Sequence, residues 1–490
     1  MKIIPKVFSL AAFIVSSAVF SDDIIVYFNH PVYEPGEQAN LEDKIIEVIE
    51  SANSSIDIAV YDLDLADIAQ ALADAKNNGI NVRYITDYDN TDNEDILEIL
   101  ENADIEWIDD TADGSSGSGI MHNKYIVVDD HLVLTGSTNM TQSGIHGDLN
   151  DDGDLISEGN ENHIVIIESI ELADAYTTDF EQMWGDGPGG DEDSLFGLSK
   201  VDHDMQTVYT TYDNTQIDAQ FSPTSSSTYE GSTIDTIVQW IETASEHIYI
   251  AQFVFSSQDV SDAMELRHDA GAEVLGLGDS LFFEQYYSEF NDIMGIVITD
   301  SDGNEEVDSF SDAENNPWDN PANAREAAVD SNDIFHHKYL IVDSSVMTGS
   351  HNISTSAATQ NDENIIFIYD EETASEFSGH FEYAYCLAGD SDDCASESDQ
   401  ESNDSTNVDS YEAGTWEGVD FTADEVASVL DTVNNASEDV LDDDVPLDAR
   451  AATNIVEART ITSMDELAAV SYVGSSAMQA LKDYIPTWSE

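Results

Sequence analysis

The 490-residue sequence predicts an α/β protein made of two pseudo-symmetric lobes, each a mixed sheet flanked by helices, followed by a small all-α C-terminal module. Three observations support this fold class. Residues 45–87 match residues 237–279 without a gap at a constant offset of 192. In both copies apolar strand-like runs alternate with helix-like segments, which is typical of crossover units in a largely parallel or mixed sheet. A hydrophobic fraction of 41% is sufficient for packed cores.

The N-terminus has the pattern of an export signal. Lys2 and Lys6 precede an apolar run over residues 7–20, as in a charged region followed by a hydrophobic region. We expect residues 1–21 to be a secretory signal peptide, with an uncleaved membrane anchor as the alternative. In the oxidising periplasm or medium, Cys386 and Cys394 are expected to form a local disulfide.

The repeat and the composition divide the mature chain into five segments. Each copy of the repeat predicts one lobe, and a run of acidic and small polar residues predicts a linker. The expected boundaries are 22–187 for lobe 1, 188–218 for a connector, 219–389 for lobe 2, 390–414 for the acidic linker and 415–490 for the helical module.

The charge is extreme, with 103 acidic and 13 basic residues and a formal net charge of −90. Such a surface repels itself at low ionic strength, but in about 1 M salt the Debye length falls to roughly 3 Å. The acidic residues are therefore interpreted as a solvated face, and we expect a saline habitat. The same charge disfavours binding of polyanions.

Two copies of one polar motif carry the predicted chemistry. Each copy is a His-x-Lys-x4-Asp sequence followed by Gly-Ser-x-Asn, and each contains an apolar stretch typical of a buried strand. The candidate residues are His122, Lys124, Asp129, Ser137 and Asn139 in the first copy, and His336, Lys338, Asp343, Ser350 and Asn352 in the second.

These residue types suit phosphoryl transfer. Residues two apart share a strand face, so each His points with its Lys, and His337 points away. Lysines, asparagine amides and serine hydroxyls can hold phosphate oxygens, while one neutral imidazole attacks phosphorus and a second imidazolium protonates the leaving oxygen. No metal or other cofactor is required. Asp129 and Asp343 lie out of phase with this face and are interpreted as turn residues.

These motifs and the surrounding repeat resemble the phospholipase D superfamily over residues 24–387. The resemblance implies a two-lobed fold, a covalent phosphohistidine on His122 and general-acid catalysis by His336, with the reverse assignment left open. It also implies an acidic residue that orients each His, which we place at Glu161 and Glu363 in matching Glu-Asn pairs, each contacting the His of the other lobe.

The resemblance favours a secreted phospholipase D that hydrolyses phospholipid head groups, acts as a monomer and contacts membrane surfaces transiently. A secreted endonuclease acting on DNA or RNA is the alternative, and a non-catalytic surface-binding protein is a third hypothesis. The motifs recognise only the phosphodiester that these substrates share.

Two weaker patterns remain. A calcium loop could include Asp148, Asn150 and Asp152, although an acidic surface turn is the alternative and catalysis would not depend on it. In the C-terminal module, residues 447–456 and 467–481 predict helices, and residues 472–477 resemble the turn of a helix-hairpin-helix motif. With 3 basic and 16 acidic residues over 415–490, helical packing or protein contact is favoured over a DNA clamp.

Overall fold

The computed structural model describes residues 23–389 apart from 30–38, 92, 115–118, 151–152, 154, 202–203, 225–230 and 300–315, together with Cys394 and parts of 414–484. The chain divides into two compact units, residues 1–399 and 400–490. The predicted signal peptide and most of the acidic linker lie outside the described residues.

Lobe 1 is built on a seven-stranded mixed sheet with strand order β1-β7-β6-β5-β2-β3-β4. Strands β2, β3 and β4 pair in parallel and the others pair antiparallel. The strands are β1 (Ile24–Phe28), β2 (Ser55–Val60), β3 (Asn81–Thr86), β4 (Glu106–Asp109), β5 (Lys124–Val128), β6 (Leu132–Gly136) and β7 (His163–Glu168). The helices are α1 (Leu41–Glu50), α2 (Ala66–Asn77), α3 (Glu94–Asn102), α4 (Gln142–Ile145) and α5 (Ile170–Trp184).

Lobe 2 repeats this arrangement in an eight-stranded mixed sheet with order β12-β11-β10-β13-β14-β15-β9-β8. The strands are β8 (Gln206–Tyr209), β9 (Gln216–Ser222), β10 (His247–Gln252), β11 (Glu273–Gly278), β12 (Asn323–Glu326), β13 (Lys338–Val342), β14 (Ser345–Gly349) and β15 (Glu363–Ile368). The helices are α6 (Thr233–Ile241), α7 (Gln258–Asp269), α8 (Ser280–Phe283), α9 (Glu289–Ile293), α10 (Thr355–Thr359) and α11 (Glu371–Leu387).

The fold class predicted from the repeat is confirmed, because all seven strands of the lobe-1 sheet have counterparts in the same order in the lobe-2 sheet. β5 lies in the middle of the lobe-1 sheet and β13 in the middle of the lobe-2 sheet, and every residue in both strands is buried. A strand covered on both faces reads as a continuous apolar run, which explains the Tyr-Ile-Val-Val and Tyr-Leu-Ile-Val sequences. These strands therefore fix the motifs in the middle of each lobe.

The two lobes share a central core built on the helices α5 and α11. Tyr176 and Phe180 of α5 and Phe377 and Phe381 of α11 are completely buried in one cluster with residues of both sheets. Each helix starts at a side-chain cap, Ser169 for α5 and Asp370 for α11, as expected for helix N-termini. Each lobe also has one further hydrophobic cluster of its own, on its outer side.

The C-terminal unit contains a two-stranded ribbon, Gly414–Trp416 with Val419–Phe421, that the sequence analysis did not predict. Its described helices include Ala449–Ala458, Met464–Ala469 and Ser475–Tyr484. Within the predicted helical range 467–481 the chain turns between the last two helices, and this turn overlaps the predicted hairpin residues 472–477. The predicted disulfide between Cys386 and Cys394 is present, with Cα atoms 5.7 Å apart. No helix among the described residues has the length and apolarity to cross a membrane.

Candidate active site

The two His-x-Lys segments meet where the lobes contact each other. The backbone N–H of His122 donates to Asp362 O at 2.9 Å, and that of His336 donates to Glu161 O at 2.9 Å. Isolated parallel bridges join Met121 to Asp362 and Phe335 to Glu161. Each candidate catalytic histidine is therefore held by the backbone of the opposite lobe. Both histidines lie just before their strands, which begin at the lysines.

The half-site around His122 contains a carboxylate. Its Nδ1 lies 2.7 Å from Glu363 Oε2, and Glu363 is completely buried. Ser350 Oγ donates to the same Glu363 oxygen at 2.7 Å, and Asn361 Nδ2 donates to the other at 3.1 Å. Lys124 Nζ donates to His122 O at 2.9 Å. Glu363 therefore fixes the tautomer of His122 and leaves Nε2 as the reactive nitrogen.

The half-site around His336 contains an amide in the equivalent position. His336 Nδ1 lies 3.0 Å from Asn162 Oδ1, and Ser137 Oγ donates to that oxygen at 2.9 Å. Asn162 Nδ2 donates to Gly144 O at 2.9 Å, which fixes the orientation of the amide. Lys338 Nζ lies 3.0 Å from His336 Nε2. His336 therefore has a neutral partner, whereas His122 has a charged one.

The glycine before each motif serine allows these partners to approach. Gly136 has φ +152° and Gly349 has φ +140°, and a Cβ at either position would lie 2.3 Å from a backbone oxygen of the neighbouring strand. Only glycine tolerates that backbone conformation and that contact. The Gly-Ser sequence thus brings each serine hydroxyl beside the residue that contacts a histidine.

The electrostatics of the four central side chains are coupled across the lobes. Burial lowers the pKa of His122 to about 4, opposed by Glu363 and assisted by Lys124 and Lys338. The pKa of His336 is held well below its usual range by burial and then by Lys338 and Lys124. Burial also lowers the pKa of Lys124 to about 7 and that of Lys338 strongly. These buried basic groups therefore lower one another's pKa, and a bound anion would oppose that effect.

The pKa of Glu363 moves the other way. Burial alone would raise the pKa of this carboxyl, but the charge and hydrogen bond of His122 hold it below its ordinary value. The carboxylate form is therefore the stable form beside His122.

The prediction that Glu161 and Glu363 are equivalent is wrong by one residue. Ile164 pairs with Gly136 and Ile365 pairs with Gly349, so Glu363 corresponds to Asn162, and Glu161 corresponds to Asp362. The Glu-Asn pairs look alike in sequence but occupy different registers. Glu161 contributes its backbone oxygen to His336, and burial raises the pKa of its carboxyl strongly.

Asp129 and Asp343 lie at turns after β5 and β13. Asp129 accepts hydrogen bonds from the backbone N–H groups of residues 53–55, and Asp343 accepts them from residues 245–247. Both residues have positive φ, 53° and 51°. These contacts agree with the turn interpretation and place the third motif residue in a structural position.

The serines and asparagines of the motifs take two different positions. Ser137 and Ser350 are completely buried and orient Asn162 and Glu363, so they act behind the histidines instead of contacting substrate. Asn139 and Asn352 are half-buried, and their Oδ1 atoms have no hydrogen-bond partner within the described residues. For the asparagines, the substrate-binding role expected of the Gly-Ser-x-Asn sequence stays a prediction.

The weak calcium prediction stays a prediction. Asp152 lies outside the described residues, while Asp148 N donates to Ser157 Oγ at 2.8 Å and Gly153 N to Asn150 O at 2.9 Å. Within the part of the chain that the structure describes, no group of three or more His, Cys, Asp or Glu side chains could hold a metal ion.

Sequence reasoning missed a second layer that joins the lobes. His163 Nδ1 lies 2.9 Å from His337 Nδ1 in the His336 half, and Asn364 Nδ2 donates to Asn123 Oδ1 at 3.0 Å at the equivalent place in the His122 half. All four side chains are completely buried. The middle residue of each His-x-Lys motif was the available signal, since it points away from the catalytic face.

A second missed pair flanks the histidines. The Tyr61 ring lies 5.1 Å from that of His122, and the Phe253 ring lies 5.0 Å from that of His336, measured between centroids. The constant offset of 192 relates these two aromatic residues and could have identified them.

A pseudo-symmetric α/β fold with paired histidines and lysines at one interface defines a phosphodiesterase-like architecture. A family model described as cardiolipin synthase, PLD-like domain, matches residues 45–184 and 237–385. Because these segments cover more than half of the chain, the protein belongs to this phospholipase D-like family.

Individual relatives match shorter parts of the chain. A phospholipase D of Rickettsia bellii is 32% identical over 133 residues, which are 27% of this chain and 58% of that protein. The mitochondrial cardiolipin hydrolase of Mus musculus is 24% identical over 155 residues, 31% of this chain and 62% of that protein. The crystal structure of a phosphatidylserine synthase from Haemophilus influenzae has a TM-score of 0.50 and 12% identity, covering 74% of this chain and 87% of that one, which shows the fold.

Proposed function

We propose that this protein is a secreted phosphodiesterase that hydrolyses phospholipid head groups through a phosphohistidine intermediate. The observation that carries the proposal is the meeting of two buried His-Lys pairs, one from each lobe, with the lysine of each lobe depressing the histidine pKa of the other. A single phosphodiester anion between the two His-Lys pairs would offset the mutual repulsion of these basic groups.

The difference between the half-sites supports His122 as the nucleophile. When Nε2 attacks phosphorus, the Nε2–P bond forms and the ring becomes a cation, which the Glu363 carboxylate stabilises at 2.7 Å. The P–O bond to the leaving alcohol breaks, and that oxygen takes the Nε2 proton of His336. Asn162 gives His336 no such charge compensation, which suits a group that must release its proton.

Substrate binding supplies the protonation state that His336 needs. Lys338 and Lys124 depress the pKa of His336 in the free protein. A bound phosphodiester carries one negative charge between these lysines and raises the pKa of both the lysines and the histidine. Water then attacks phosphorus while neutral His336 takes a proton from it, and the Nε2–P bond breaks to release His122 as a neutral imidazole. His336 loses this proton to solvent when the anionic product leaves.

The charge of the chain favours phospholipid over nucleic acid. A net charge of −90 opposes a polyanion, whereas one phosphodiester at a bilayer surface needs only the buried lysines. Names of relatives, phospholipase D and mitochondrial cardiolipin hydrolase, point in the same direction. The acidic surface and the signal-like N-terminus support export into a saline medium.

The test is hydrolysis by the full chain without residues 1–21, in about 1 M salt with EDTA. Phosphatidylcholine vesicles and plasmid DNA are offered separately, and choline release and nicking are measured. We expect choline release that His122→Asn abolishes, while His131→Asn, at a half-buried histidine of the β5–β6 turn, leaves it intact. Nicking without choline release would support the nuclease alternative instead.

A substrate with a good leaving group distinguishes the role of the nucleophile from that of the general acid. A p-nitrophenyl phosphodiester releases an anion that needs no proton, so His336→Asn should still give a burst of p-nitrophenol and a labelled protein. His122→Asn should give neither. A burst in His122→Asn and none in His336→Asn would reverse the assignment.

A further inference from the structure

The surfaces beside the two histidines differ at equivalent positions. We define the lobe-1 rim as Tyr61, Asp62, Asp89 and Asn90, and the lobe-2 rim as the residues 192 positions later, Phe253, Val254, Leu281 and Phe282. At each of these four positions, lobe 1 has a polar side chain and lobe 2 has an apolar one. The rims therefore add a second difference between the two sides of the site, beside the difference between Glu363 at His122 and Asn162 at His336.

The lobe-1 rim is polar and negatively charged. Asn90 Nδ2 donates to Tyr61 O at 2.9 Å, beside the His122 ring. Burial raises the pKa of the Tyr61 hydroxyl, and the carboxylates of Asp87, Asp62 and Asp89 raise it further. Several carboxylates therefore face the same side of the site as Tyr61.

The lobe-2 rim is aromatic and uncharged. Phe253 packs against Phe282 with ring centroids 4.8 Å apart at 80°, and it lies 5.0 Å from His336. Phe282 is half-buried and Leu281 is 55% exposed, so the apolar surface reaches solvent next to the site. Four uncharged rim positions are unusual on a chain that carries 103 acidic residues.

In-line displacement assigns these rims to parts of the substrate. The bond that breaks lies opposite the attacking nitrogen, so with His122 as nucleophile the leaving alcohol lies beside His336 and the lobe-2 rim. Aromatic faces suit a methylated ammonium, which is attracted to π-faces and donates no hydrogen bonds. A polyol or a primary ammonium would lose hydrogen bonds to water there.

We infer that the lobe-2 rim is the leaving-group subsite and that it selects the quaternary ammonium head group of choline phospholipids. This inference rests on the proposed function and on the direction of attack. Phe282 and Leu281 are the specificity-determining residues, and neither contacts the reacting atoms.

The test compares head groups in mixed micelles that contain phosphatidylcholine, phosphatidylglycerol or phosphatidylethanolamine, and measures kcat/KM for each. Phe282→Asn copies the residue at the equivalent lobe-1 position and should lower the phosphatidylcholine value by about 3- to 30-fold, the range expected for loss of a cation–π contact, with the phosphatidylglycerol value within about 2-fold. Leu281→Asp, at an exposed position, should lower the phosphatidylglycerol value and raise that for phosphatidylethanolamine.

Asp89→Leu is the matched control on lobe 1 and should leave the head-group ratios unchanged. Ratios that stay constant in both lobe-2 variants, or that change in Asp89→Leu instead, would overturn the subsite assignment while phospholipid hydrolysis itself stands. Wild-type protein that nicks plasmid and hydrolyses no phospholipid would overturn the proposed function and the subsite together.

Discussion

Replacing the buried histidine pair with the amide pair of the other half-site should remove part of the acid sensitivity of the fold. The variant is His163→Asn with His337→Asn, which copies the Asn364–Asn123 contact already present at the equivalent interface. In the native protein one ring of the pair must donate and the other accept, since their Nδ1 atoms lie 2.9 Å apart. Protonation of the accepting Nδ1 would therefore break this hydrogen bond.

The expected loss of unfolding free energy at low pH follows from the pKa of His163. Its pKa lies well below the ordinary value, first because of burial and then because of His380 and Lys338. Since the folded pKa is lower than the unfolded value of about 6.5, the unfolded chain takes up the proton first as the pH falls. Stability is complete above pH ~6.5 and decreases below it by about 1.4 kcal/mol per pH unit, or about 2.7 kcal/mol by pH 4.5.

Other groups around the pair remain in both proteins. The Tyr339 hydroxyl lies 2.9 Å from His380 Nδ1, the His380 ring lies 4.5 Å from that of His337, and His163 Nε2 lies 2.5 Å from Thr348 Oγ1. The contributions of buried histidines that do not contact the pair cancel to first order when the two proteins are compared, whereas that of His380, whose ring contacts His337, does not.

The assay is urea unfolding in high salt at pH 6.5 and 4.5 for native protein and the double variant. We expect the loss of unfolding free energy over this interval to be smaller in the variant by about 2 kcal/mol, and kcat at pH 7.5 to stay within about 10-fold. His131→Asn should keep the native pH dependence. Equal losses in native protein and double variant, within about 0.5 kcal/mol, would refute the reasoning.

Four further predictions follow from the contacts of the site and its supports. Glu363→Gln should lower kcat/KM by about 30- to 1000-fold, because the cation that forms on His122 loses its carboxylate, and steady-state kinetics with a phosphodiester measures this. Lys200→Met should lower the unfolding free energy by about 3–5 kcal/mol, since this buried ammonium lies 2.7 Å from the carboxylate of Asp179 and 2.9 Å from that of Asp362, both buried. Urea titration measures this, and in the same titration Lys44→Met, which removes an exposed ion pair, should change the unfolding free energy by less than ~1 kcal/mol. Asp129→Ala should cost about 1–3 kcal/mol of stability with a much smaller effect on kcat, because its carboxylate caps three backbone N–H groups away from the histidines; a loss of kcat without loss of stability would contradict this. Raising KCl from about 0.1 to 2 M should raise the melting temperature, because it screens a net charge of −90; a lower melting temperature in high salt would argue against the saline interpretation.

The repeat and the motifs were sufficient to predict the lobes, the sheet type and the central residues. A gapless match over residues 45–87 and 237–279 preserves the order of strands and helices, and the shared Gly-Ser sequence marks the same strand ends. The sequence comparison failed at Glu161. There, two identical Glu-Asn dipeptides favoured one alignment, and the hydrogen-bond register of β7 and β15 imposed another. A shift of one residue moves every side chain to the opposite face of a strand.

The amino-acid sequence by itself determined which side chains the protein has for phosphoryl transfer and that two similar halves carry them. Only the tertiary structure decided that Glu363 orients His122 while Asn162 orients His336, that His163 meets His337 across the interface, and that Phe282 belongs to the rim beside His336. The reason is physical: these contacts join residues more than 20 positions apart, and their partners are set by sheet register and by packing of one lobe on the other, which local pattern does not encode.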